Sequence, residues 1–79
     1  MPTMDMNTSI RTLMSLAGDC WTLTVEPHGH RGWRASIEIY PGGIILGVEH
    51  ADAGTPSDAV AEAVGVWQTR ADEIADCAG

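Results

Sequence analysis

Asp58, Glu62, Asp72, Glu73 and Asp76 fall in one stretch near the C-terminus, with a single arginine and no lysine among them. At the helical step these five carboxylates share one side, within roughly 100° of arc. The pairs Asp58–Glu62, Asp72–Asp76 and Glu73–Asp76 sit three or four positions apart, where like charges cost a few tenths of a kcal/mol each. A face that is unfavourable for the isolated helix is expected where a cationic partner docks, so these five are the candidate partner-binding residues.

Other residues could do chemistry but lack its context. His28-Gly29-His30 could share a cation in a turn, yet zinc needs three or four ligands. A third would have to come from His50, Cys20 or Glu49, and nothing in the spacing brings them together. No metal is therefore expected. Cys20 and Cys77 are the thiol nucleophiles, and Asp19 is the wrong neighbour for an activated thiolate. There is no nucleophile elbow and no phosphate-cradling loop. No catalytic residue, cofactor or enzyme activity is expected.

The charge count narrows the partners. Eleven acids stand against four arginines, for a net charge of −7. The first 48 residues carry four acids and three arginines, and the remainder carries seven acids and one arginine. This balance excludes phosphate-led binding of DNA or RNA and of anionic membranes, both of which need Lys and Arg. No apolar run approaches the roughly 20 residues of a membrane helix, and the start of the chain lacks a signal-peptide pattern. A cytoplasmic protein with two free thiols is expected, partnering a basic protein or nucleoprotein complex.

Seventy-nine residues make one domain with a marginal core. Met6, Ile10, Leu13 and Ala17 recur at helical spacing, and Gly18 supplies a stop. Three segments then alternate apolar with polar: Cys20–Glu26, Trp33–Tyr40, and a third in which Ile44, Leu46 and Val48 alternate with Ile45, Gly47 and Glu49. Their connections contain Pro27, Gly29 and Gly32, then Pro41-Gly42-Gly43, and are too short for parallel crossovers. A three-stranded antiparallel meander follows. Thr55 as N-cap, Pro56 at the first helical position and Asp58 two further on open one long amphipathic helix. Its buried stripe is Val60, Val64, Trp67, Ala71 and Ile74. The expected fold is α+β in the order α-β-β-β-α, with both helices on the apolar face of the sheet. Trp21, Trp33 and Trp67 fall in its core. Arg34, Ser36, Glu38 and Tyr40 fall on the open sheet face as a second candidate contact patch.

The order α-β-β-β-α resembles double-stranded RNA-binding domains in topology alone, since the last helix here begins Thr55-Pro56-Ser57-Asp58 rather than with lysines. Over about residues 20–75, the chain shows a tryptophan-led first strand, a glycine-bearing third strand (Gly43, Gly47), Thr55-Pro56-Ser57-Asp58-Ala59, spaced alanines and Trp67. In these features it resembles small phage-encoded anti-CRISPR proteins. That resemblance implies a short, non-enzymatic inhibitor inside a bacterial host cell, blocking the DNA-binding surface of a type I CRISPR surveillance complex. The same stretch is similar to HicB-like antitoxins, which would imply a small basic toxin as the partner. A homodimeric assembly module is the remaining alternative.

Overall fold

The computed structural model describes residues 4–78. Asp5 caps the first helix by accepting from the Thr8 amide at 2.7 Å. Helix α1 (Met6–Ala17) ends at Gly18, whose φ of 59° and N–H bond to the Met14 carbonyl close the last turn. Strands β1 (Trp21–His28), β2 (Gly32–Ile39) and β3 (Gly47–Ala53) form one antiparallel sheet in the order β1-β2-β3. A 3₁₀ turn, Pro41–Gly43, separates the last two strands. Helix α2 (Pro56–Gln68) starts on Thr55, which accepts from the Asp58 amide at 3.1 Å, with Pro56 in the first turn. Helix α3 (Ala71–Ala78) follows.

The α+β class and the meander thus stand, but the expected single C-terminal helix is two. Thr69 folds its hydroxyl back onto the Val66 carbonyl at 2.6 Å, and the Arg70 amide bonds to Trp67, three residues back. This tightening ends α2 without glycine or proline. The Arg70 side chain is held elsewhere: its guanidinium lies 4.5 Å from the centre of the Trp67 ring and donates to Glu49 and Glu73.

Helix α2 packs over β2 and β3, and α1 packs beside it. Leu13, Ala35, Ile37, Ile39, Ala59, Val60, Ala63, Val64, Trp67 and Ile74 form one buried cluster. The predicted stripe Val60–Ile74 therefore faces inward, with Ala71 half-buried. Of the three tryptophans only Trp67 is fully buried; Trp21 and Trp33 pack on the cluster and stay half-exposed.

The third strand differs from its expected position and phase. It begins at Gly47, and its inward residues are Gly47, Glu49, Ala51 and Ala53. Ile44, expected inside, is 78% exposed, and Val48 is 51% exposed on the open face. The inward side of Gly47 is filled by the Arg70 and Trp67 side chains: a Cβ there would lie 3.3 Å from Arg70 Nη1 and 3.7 Å from the Trp67 ring. Gly47, Ala51 and Ala53 are small and Glu49 is turned to Arg70, so the apolar alternation of this segment points the wrong way.

Candidate interaction surfaces

The break at Thr69–Arg70 divides the predicted acidic face into two carboxylate pairs. Asp58 and Glu62 lie one turn apart on α2, and Asp72 and Asp76 one turn apart on α3. Glu62, Asp72 and Asp76 are exposed, and Asp58 is half-buried. Asp58 and Asp72 occupy first turns, where the helix dipole favours negative charge.

Glu73 is engaged within the fold. Its two oxygens accept from Arg70 Nε at 2.8 Å and Nη2 at 3.1 Å, a forked pair. Hydrogen bonding from Arg70 lowers the Glu73 carboxyl below its usual range. The same bonds to Glu73 and Glu49 raise the guanidinium further above its already high value. Sequence reading missed Arg70 as the organiser of this corner, because Glu49 reaches it from β3.

On the other side of the sheet, the register aligns Thr22, Glu38 and Val48, then Thr24, Ser36 and His50, then Glu26, Arg34 and Asp52. These rows form a polar face that no helix covers among the described residues. Arg34 and Asp52 make a second forked pair, Nε to Oδ1 at 2.7 Å and Nη2 to Oδ2 at 3.0 Å. Arg34 Nη2 also lies 3.1 Å from His28 Nε2, whose distance to Asp52 Oδ2 is 3.6 Å. Hydrogen bonding from Arg34 lowers the Asp52 carboxyl, helped by the nearby His28 and His50, and Arg34 is raised in return.

Of the second candidate patch, Arg34, Ser36 and Glu38 lie on this face, each half-buried. Tyr40 follows β2, and its hydroxyl donates to the Trp21 carbonyl at 3.3 Å, tying down the end of β1. His28 and Asp52 are the members of this network that sequence reading left out. The correct register of β3 would have found Asp52, since it sets that residue opposite Arg34. Among the described residues no three His, Cys, Asp or Glu side chains gather as a metal would require. Nor is any described helix long and apolar enough to cross a membrane.

Neither a protein-family model, nor a curated protein, nor a solved structure matches the chain.

Proposed function

We propose that the protein is a stoichiometric binding protein that presents Asp58, Glu62, Asp72 and Asp76 to a cationic surface of a protein or nucleoprotein complex. One observation carries this reading. Arg34 is committed to Asp52, and Arg70 to Glu49 and Glu73, while the four helical carboxylates have no ion-pair partner among the described residues. Carboxylates that served only solubility would gain from interspersed cations, and α2 and α3 offer them none. A groove that binds nucleic acid is the natural complement. The resemblance to anti-CRISPR proteins makes the DNA-binding surface of a type I surveillance complex the first candidate.

The test begins with recovery of the partner from a bacterial lysate and measurement of binding kinetics at two salt concentrations. Association should slow as salt rises, because exposed charges are screened within about 8 Å at physiological ionic strength. Changing Glu62→Gln, Asp72→Asn and Asp76→Asn together should slow association more than it speeds dissociation. Unchanged affinity in that triple variant would refute the reading.

A further inference from the structure

The two free edges of the sheet are not alike. The Tyr40 amide bonds to the Cys20 carbonyl, and the Leu46 amide bonds to the Ile39 carbonyl. Even-numbered residues of β2 therefore turn their main chain toward β1, and odd-numbered ones toward β3. On β1 the outward main-chain groups belong to Trp21, Leu23, Val25 and Pro27, and Pro27 has no N–H to offer there. On β3 they belong to Val48, His50 and Asp52, with no proline or lysine to blunt the edge. Those groups have no main-chain partner among the described residues. Just before this edge, Ile44 and Ile45 are 78% and 62% exposed. An edge without proline or lysine, beside exposed apolar side chains, is a template for another strand.

We propose that β3 pairs antiparallel with β3 of a second copy of this chain, about a twofold axis at Ala51. A twofold axis perpendicular to the sheet keeps the helices of both copies on one side, so inward residues must face inward ones. Charge then selects the register. An axis at Glu49 would set two Glu49 side chains directly opposite each other, and an axis at His50 would oppose two imidazoles. An axis at Ala51 sets His50 opposite Asp52 of the second copy, and Asp52 opposite its His50, giving two complementary pairs. Asp52 can take this contact as well as Arg34, since a carboxylate has about four acceptor sites. In this register Glu49 faces Ala53 of the second copy, and Val48 faces its Gly54. Ile44 and Ile45 run alongside the start of the second copy's α2. The result is one continuous six-stranded sheet, and it does not depend on the helical carboxylates.

Sedimentation equilibrium of the intact chain from about 5 to 500 μM, at physiological salt, tests this directly. The mass should rise from that of one 8.4 kDa chain toward that of two. Changing His50→Asp opposes two pairs of carboxylates and should move the midpoint at least about 10-fold upward in concentration. Circular dichroism of that variant should match the parent, because His50 is exposed on the edge strand. Amide exchange at Val48, His50 and Asp52 should slow about 10-fold or more in the dimer. A single-chain mass throughout, leaving the edge to a strand from another protein, overturns the proposal, as does a dimer in which those amides exchange freely. A dimer that protects them yet ignores His50→Asp overturns the Ala51 register.

Discussion

The indole Nε1 of Trp67 donates to the main-chain oxygen of Ile37 at 2.9 Å, joining the last turn of α2 to the middle of the central strand. Both residues are fully buried. The ring therefore fills the core and also fixes the height at which α2 crosses the sheet.

Two substitutions at Trp67 separate these roles. Trp67→Ala removes the ring and should cost about 3–5 kcal/mol, comparable with the whole stability of so small a domain. Trp67→Phe keeps most of the apolar volume and loses the donor, for about 1–3 kcal/mol. Urea denaturation of both variants would show the difference. Equal losses would mean that the hydrogen bond and the shape of the indole dominate over buried volume.

Ser9 offers a gain. It is fully buried on α1, and its Oγ has no hydrogen-bond partner among the described residues. A desolvated hydroxyl without a partner costs about 1–3 kcal/mol. Ser9→Ala deletes it and keeps Cβ, so it should stabilise the fold by about 1 kcal/mol, with alanine's helix propensity acting in the same direction. A lowered urea midpoint would show that the hydroxyl finds a partner in solution.

What could be read from the sequence was local. The cap at Thr55, the stop at Gly18 and the stripe Val60–Ile74 all follow from chemistry within a few residues. What could not be read depends on contacts between distant segments. Arg70 meets Glu49 across 21 positions, and Arg34 meets Asp52 across 18. The first contact accompanies the division of the last helix, and its loss from view also made Glu73 look free. The apolar run Ile44–Val48 suggested a buried strand, whereas the strand that packs under α2 turns Gly47, Ala51 and Ala53 inward together with Glu49, which Arg70 holds.

Arg70 is accordingly expected to matter more than an ordinary surface arginine. Arg70→Gln removes the cation over Trp67 and leaves Glu49 and Glu73 without their partner. The thermal midpoint should fall, and tryptophan emission should shift to the red as water reaches the edge of the Trp67 ring. Arg11→Gln, at an exposed position on α1, serves as the control and should leave both unchanged. If the two variants melt alike, the corner made by Arg70 contributes nothing to the fold.

Acid should weaken the protein through Asp5, Asp52 and Glu73. Each has its folded-state pKa lowered from an ordinary value of 3.8, 3.8 and 4.5 respectively, by hydrogen bonds from Thr8, Arg34 and Arg70. A lowered carboxyl binds fewer protons folded than unfolded, so its contribution is complete above the ordinary value and is lost as pH falls through the folded one. Asp52→Asn isolates one such contribution. The variant should be less stable than the parent at pH 7, and the gap should narrow progressively as pH falls below about 3.8 toward the lowered folded-state value of Asp52. Urea denaturation at several pH values would follow the gap. A gap that stays constant down to pH 2 would show that Asp52 acts through its shape and not through its charge on Arg34.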